Sequence, residues 1–500
     1  MSLVQTDVLV AGGGLAGVAA AVVLAERGVA VTLVEQHAQL GGRLAGWDDQ
    51  LSDGSQFQME RGFHAFFRQY YNLRSLLKRI DPELRLLRPL ADYPILGPEG
   101  RRQSFTGLRT KAPLNVIDMV RQTDTLKLKD LLSINVRAAL EMLAFDPKRS
   151  YAHFDHISAR DYLDSLGFPS RARQMLFDVF SHSFFNPEIH MSAAEMLAMF
   201  HFYFMGNPEG LIFDVLSQPF STGVWQPLEA YFAKYGVIIK KNCQIVTARP
   251  DGFGGIVAEV AQGSETRQIS AKALVFALNV PGIKALIENS PELGDRTWRQ
   301  SIQSLDVTYR FAVWRLWLDG DVDKDRAEFA GTTGVGLLDN ISLFHRIEDE
   351  SANWAAQHHG SVVELHAYAI APDLDAPRIK ASLLQGLHAL YPETAALNIV
   401  QERFLLEQDC PAFAPGSHAN RPTVATGMSQ CYLAGDFVRL PFPSALMERA
   451  VTTGMMAANH ILERRNLPIE PIQTTPAYGI AAWTTQRLRQ VTRSQSVQAP

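Results

Sequence analysis

The run Asp7-Val-Leu-Val-Ala-Gly12-Gly13-Gly14-Leu-Ala-Gly17, closed by Val34-Glu35, constrains this chain more than any other feature. An apolar stretch that breaks at glycines and resumes rich in Ala and Val reads as strand, tight turn and helix. Gly12 lets the chain turn sharply off the strand. Gly14 lets backbone amides approach a pyrophosphate, and Gly17 lets the helix pack closely on the sheet. The helix start at Leu15-Ala16 then offers free N–H groups and a positive dipole end to phosphates. Glu35 stands eighteen residues beyond Gly17, with Gln36 next to it, at the end of a second strand where a carboxylate can accept hydrogen bonds from ribose hydroxyls. The pattern predicts a dinucleotide-binding α/β unit. Val8–Ala25 is uncharged and long enough for a membrane span, but no Lys or Arg precedes it and glycines interrupt it. It reads as a buried strand and helix, and the chain shows no other candidate span.

Composition narrows the partners. With 47% hydrophobic residues among 500, the chain can bury a large core, and a net charge of −5 gives no reason to expect nucleic acid. Cys243, Cys410 and Cys431 lie far apart, with no Cys/His run at zinc spacing. So sparse and odd a set reads as buried thiols in a reducing, cytoplasmic setting, with no metal site expected.

Three separated stretches look like pieces of one nucleotide-binding domain: residues 1–62, 223–282 and 430–464. The second begins with a predicted helix over Trp225–Tyr235, followed by strand-like runs at Val237–Lys240, Ile256–Val260 and Ala273–Leu278. The third is a short apolar strand, a Pro-bearing loop and a helix from Ser444 to about Leu462. The intervening inserts, 63–222 and 283–429, are expected to form a mixed α+β substrate domain. The first is helical in character over Leu126–Leu143 and Ser170–Phe185. The second is strand-like at Tyr309–Trp317 and Ser361–Tyr368. Residues 465–500 read as a loosely packed tail.

Glu35 suits the adenosine half of either NAD or FAD, and two further features decide for FAD. Gly41-Gly42-Arg43-Leu44 follows Glu35 closely, so Arg43 can reach the pyrophosphate while the glycines allow close approach. Gly435-Asp436 ends an apolar strand, where the carboxylate can meet a ribityl hydroxyl. The helix after it, with Met447 near its start, can aim its N-terminus at the pyrimidine edge of an isoalloxazine.

These motifs, with Thr453-Gly454 downstream, resemble the flavin amine oxidase and phytoene desaturase superfamily. The stretch Met59–Arg74, with Ser181-His-Ser-Phe-Phe-Asn186 and Met199–Gly210, resembles the carotenoid desaturase branch. More narrowly it is similar to bacterial β-carotene desaturase/methyltransferases that turn β-ionone rings into aromatic rings. The resemblance implies that Gly62 passes close to the flavin ring and that Val246 contacts adenine through its backbone. There are two departures from the superfamily pattern. The loop Glu60-Arg61-Gly62-Phe63-His64 lacks the glycine-rich sequence common in amine oxidases, and no Cys occupies the closing-segment position that carries covalent flavin. Non-covalent FAD is therefore expected.

The inserts are rich in Phe, Tyr, Met and Trp, consistent with an apolar slot for a long isoprenoid such as a carotenoid. His64 and Glu60 are the acid/base candidates, being polar and beside Gly62. The competing reading makes Glu60 a partner of Arg61 or Arg68, and His64 a packed, satisfied histidine. His182 and His201, in the helical insert, rank behind them. The leading function is a carotenoid desaturase that aromatises a ring; the rivals are an oxidase of a hydrophobic amine and a redox-neutral flavin-dependent carotenoid isomerase. Leu126–Leu143 and Leu114–Val120 read as helices that could dock on a membrane surface. The sequence sets no oligomeric state.

Overall fold

The computed structural model describes residues 4–122, 134–174, 182 and 184–482. Two seven-stranded sheets dominate it. The first is built where the glycine pattern placed it. Val4–Ala11 pairs in parallel with Val31–Val34 on one side and with Glu265–Phe276 on the other. Ile238–Lys240 extends the edge beyond Val31–Val34, and Cys431–Leu433 runs parallel to the end of Glu265–Phe276. Ile256–Gln262 and Gln244–Pro250 complete the sheet antiparallel. All three separated stretches of chain thus supply strands to one sheet. The parallel segments Val8–Ala11, Val31–Val34 and Ala273–Phe276 are buried, as expected where helices cover a parallel sheet.

The register sets the position of the site. Ala11 pairs with both Val34 and Phe276, Lys240 with Val34, and Leu433 with Phe276. The carboxyl ends of five strands are level, so Gly12, Glu35, Ala277 and Gly435 all emerge along one rim. A ligand crevice is expected there in an open α/β sheet. Leu15–Ala25 is buried along its entire length because Leu446–Arg464 packs on it. A Cβ on Gly454 would stand 2.1 Å from the Ala16 carbonyl oxygen, so glycine sets how closely those two helices approach.

The second sheet runs in the order Ile399–Glu407, Arg310–Leu318, Ser361–Ile370, Asn340–Leu343, Phe329–Thr332, Ile95–Leu96 and Arg102–Gln103. Its last two strands come from the first insert, which the sequence had suggested was helical. That insert also forms a three-stranded sheet from Phe66–Phe67, Leu87–Pro89 and Phe213–Leu216. These strands are two to four residues long, too short for an alternating pattern to register. Of the helix expected over Ser170–Phe185, Ser170–Arg173 is helical, and residues 175–181 and 183 lie outside the described residues. Val280–Glu288 and Arg296–Gln303 pack into the core of the first sheet through Ile283, Leu286 and Ile302, so that core extends past residue 282.

Of the expected tail, residues 465–482 are described and they pack on the body of the protein. Arg27 and Arg79 hold Glu470 at 2.6 and 2.5 Å, Gln473 N–H donates to Asn72, and Gly479 N–H donates to the Phe145 carbonyl. Polar composition suggested loose packing, but here the polar groups are the contacts. Among the described residues no helix is long and apolar enough to cross a membrane.

Candidate active site

One cavity of about 480 Å³ starts at the rim of the first sheet and continues into the aromatic part of the inserts. Gly12, Gly14, Leu15, Ala16, Glu35, Gln36, Gly41, Gly42, Arg43, Leu44, Gly435, Asp436 and Met447 lie on its wall. Gly17 does not, because its work is packing: a Cβ there would stand 1.9 Å from the Gly12 carbonyl oxygen. Gly12 adopts φ +106°, with the Ala277 oxygen 2.4 Å from where a Cβ would sit. Gly14 differs, since nothing lies nearer its would-be Cβ than the Gly41 oxygen at 3.8 Å. The loop is closed toward the protein and open toward the cavity.

The helix Leu15–Ala25 begins at Gly14 and the helix Leu446–Arg464 begins at Ala445, neither with a side-chain cap. Two uncapped positive helix ends therefore face one cavity, as an extended anionic ligand requires. Glu35 accepts N–H bonds from Gly13 at 2.7 Å and His37 at 2.9 Å, one on each carboxylate oxygen. Each oxygen keeps a lone pair for a hydroxyl donor. Arg43 and Asp436 form a two-pronged ion pair at 2.8 and 2.7 Å that joins the first stretch to the third. Cys243, Gln244 and Ile245 form the far wall. Val246 lies one residue beyond, at a break in register between Ile245 and Thr247. These residues fit a flavin dinucleotide: an open glycine floor, two helix ends, a ribose acceptor and a charged pair at the middle.

The loop after the Gln56–Glu60 strand separates the two acid/base candidates. His64 is on the wall, with Nδ1 on the Gly62 carbonyl at 2.7 Å, and burial pushes its pKa down to about 4. Glu60, expected as an acid/base candidate beside Gly62, is not on the wall. Its carboxylate accepts the Phe220 N–H at 2.7 Å and lies 3.8 Å from the Arg315 guanidinium. Burial pushes it up to about 8 against the pull of Arg315. Neither Arg61 nor Arg68 pairs with it; they bind Asp409 and Asp214 instead. Gly62 is wedged under the second sheet at φ +97°, where a Cβ would meet His366 at 2.8 Å and Val313 at 2.9 Å.

Sequence reasoning missed a group on the second sheet. Glu364, His366 and Tyr368 alternate along Ser361–Ile370, so all three point to one face. The His366 ring contacts Glu364 at 2.8 Å through Nε2 and the Tyr368 hydroxyl at 2.8 Å through Nδ1. His366 and Tyr368 are on the cavity wall. The alternation in Val-Glu-Leu-His-Ala-Tyr was the available signal. His182 reaches Asp339, also on the wall, at 2.9 Å, whereas His201 is buried against Pro476 and Phe145.

Beyond this group the wall turns aromatic. Phe63 stacks on Phe329 at 4.5 Å, Tyr93 on Phe105 at 4.7 Å, and Phe67 meets Tyr203 edge-on at 4.8 Å. The wall carboxylates on this side are already matched, Asp409 by Arg61 and Asp339 by His182.

A glycine-floored dinucleotide cradle opening into an aromatic chamber defines a flavoenzyme, and the chain belongs to the flavin containing amine oxidoreductase family, whose model matches residues 15–462. It is a flavin-dependent oxidoreductase. A carotenoid phi-ring synthase of Streptomyces griseus is 45% identical over 475 residues, covering 95% of this chain and 91% of that protein. A zeta-carotene desaturase of Synechocystis sp. is 27% identical, covering 91% of this chain and 97% of that one. Among solved structures, wild-type putrescine oxidase bound to putrescine matches with TM-score 0.67 at 16% identity, over 93% of this chain and 100% of that chain. That last likeness is one of fold.

Proposed function

We propose that this chain is an FAD-dependent carotenoid desaturase that aromatises a β-ionone ring. The observation that carries the reading is the joined cavity, whose wall runs from the cofactor cradle past Arg61, Phe63 and His64 into the aromatic chamber. The 45% identity to a carotenoid phi-ring synthase supports the ring chemistry. FAD would be held by Gly14 and the Leu15–Ala16 amides at the pyrophosphate, Glu35 at the ribose, and Asp436 with Arg43 near the ribityl chain. Cys243–Ile245, with the Val246 backbone, would face the adenine, and the Met447 helix start the pyrimidine edge. Bound there, the flavin supplies the acceptor for hydride removed from substrate carbon. Non-covalent binding is supported by the wall thiol Cys410, which burial pushes up to about 11 and so holds protonated and unreactive.

The inserts do the rest. A gem-dimethyl ring becomes aromatic only if a methyl group migrates, and that passes through a ring cation. Phe63, Phe213 and Tyr93 line the chamber that would hold it, keeping water away and setting aromatic rings beside the cation. In anaerobic mixing with the FAD-loaded protein, β-carotene in vesicles should bleach the flavin absorbance and a hydrophobic amine should not. Bleaching by the amine, with peroxide on readmitting air, would overturn the reading in favour of an amine oxidase.

A carotenoid lies in a bilayer, so the chamber needs a lipid-facing mouth. Residues 126–133, the expected start of the first docking helix, fall outside the described residues, Leu131 and Leu132 among them. What is described carries the reading further. Leu114 and Ile117, on the helix Leu114–Gln122, are each 40% exposed, and Val136 and Leu140 on Val136–Leu143 are 64% and 47% exposed. Asn115 anchors the first helix to the carbonyl of Phe204, a chamber residue, and the second helix packs on the same 201–205 segment. Two apolar helix faces thus flank the chamber's far end, as peripheral membrane docking demands. Liposome flotation should be strong for the wild type and lost when Leu114, Ile117, Val136 and Leu140 are all replaced by Glu, with FAD content unchanged. Equal flotation would remove this surface as the docking site.

A further inference from the structure

We propose that Tyr368, backed by His366 and Glu364, is the group that takes the ring protons, an assignment that rests on the ring-aromatising reading above. Removing a hydride from a ring carbon leaves a cation, and the double bond forms only when a neighbouring C–H proton departs. A base must therefore face the chamber. Of the two acid/base residues the sequence ranked first, Glu60 is off the wall, and His64, though on it, is a weak proton acceptor because burial pushes its pKa down to about 4.

The three residues on the second sheet form a directed chain. Glu364 is fully buried; burial opposes its ionisation, but Arg315 and His366 outweigh that and hold it down to about 2. It is therefore an acceptor, taking N–H bonds from Arg315 at 2.9 Å, Phe63 at 2.8 Å and His366 Nε2 at 2.8 Å. With the hydrogen of a neutral imidazole committed to Nε2, Nδ1 is bare and must accept the Tyr368 O–H, 2.8 Å away. Asn340 donates a second hydrogen bond to the Tyr368 oxygen at 2.9 Å. One lone pair of that oxygen is left, on a residue that lines the chamber. The balance of the step follows. A ring C–H bond breaks and its electron pair becomes the new C=C bond. The proton joins the Tyr368 oxygen as the phenol's own proton passes to His366 Nδ1. The resulting imidazolium stands against the Glu364 carboxylate, the same logic by which a buried acid supports a histidine base behind a hydroxyl.

The backbone shows that this placement is built. Arg310 pairs with Ile370 but Ala312 pairs with Ala367, so Tyr368 and Ala369 together oppose Phe311 in a bulge. Ala369 sits at φ +51°, a left-handed conformation that an alanine adopts at a cost. Bulges of this kind re-aim a side chain next to a site. Here the bulge begins at Tyr368, whose ring is held edge-on against Phe185 at 4.8 Å.

Two measurements on the FAD-loaded protein test the assignment. Nitrogen-15 NMR of histidine-labelled protein, assigned with His366→Gln, should show His366 protonated on Nε2 and bare on Nδ1. In β-carotene vesicles, Tyr368→Phe should keep its flavin and its KM while aromatised product forms about 10²–10⁴-fold more slowly. The opposite tautomer, or a Tyr368→Phe rate close to wild type, overturns the relay. If the expected tautomer is seen while the wild type leaves the carotenoid unchanged, the relay geometry is supported and it is the substrate reading that fails.

Discussion

Gly14→Asp should yield a folded protein that holds no flavin. At most glycines of this loop a side chain would break the fold first, since a Cβ on Gly12 or Gly17 would stand 2.4 or 1.9 Å from a backbone oxygen. Gly14 has open space toward the cavity, with its nearest neighbours at 3.8 and 3.9 Å. An aspartate fits sterically and puts a carboxylate where a pyrophosphate approaches two uncapped amides. Circular dichroism and the unfolding midpoint should match wild type while the visible flavin spectrum is absent. Gly17→Ala should do the reverse, losing stability and flavin together, because the helix must move off the loop. Stoichiometric flavin in Gly14→Asp would mean that the phosphates lie elsewhere.

Arg315→Met should be the most destabilising single change in the second sheet. Arg315 is 1% exposed, and its guanidinium contacts Glu364 at 2.9 Å, the Gln58 carbonyl at 3.2 Å and the Phe344 ring centroid at 3.9 Å. It ties the Gly46–Glu60 hairpin to the sheet through the Gln58 carbonyl, as Arg403 does through Asp49. Removing it leaves the Glu364 carboxylate buried without its main counter-charge, a loss of about 3–5 kcal/mol in comparable cases. Glu60→Gln should change little. Glu60, pushed up to about 8, is already protonated near neutral pH, and glutamine keeps an acceptor for the Phe220 N–H. Denaturant melts of the two variants decide the matter, and a Glu60→Gln loss as large as that of Arg315→Met would contradict this charge assignment.

The difference between those two carboxylates explains how far the sequence could be read. The strand–glycine–helix unit and the Gly435-Asp436 return were legible because glycine spacing is a backbone constraint satisfied within a few residues. The level rim of Ala11, Val34, Phe276 and Leu433 followed from that, because parallel pairing leaves little freedom in register. The surroundings of Glu60 were not legible because they are set by Phe220 and Arg315, far along the chain. Arg43 and Asp436 were each read as contacts to a cofactor, and their pairing with each other across 393 residues was invisible. The Glu364-His366-Tyr368 alternation was in plain sight within a recognised strand. Which face of that strand meets the cavity, however, depends on its packing against Gly62, about 300 residues away in the chain. Short strands in the first insert and the tail packed through Glu470 carried no periodic signal.

The central claim is that the chamber holds a carotenoid end ring and that the bound flavin dehydrogenates it. Expression in a host that already makes β-carotene, followed by mass spectrometry of the extracted pigments, tests it most directly. The account predicts a new pigment lighter than β-carotene by the ring hydrogens removed, with an aromatic end group, absent when Gly14→Asp is expressed in its place. Unchanged β-carotene, or a rearranged pigment of the same mass, would contradict it.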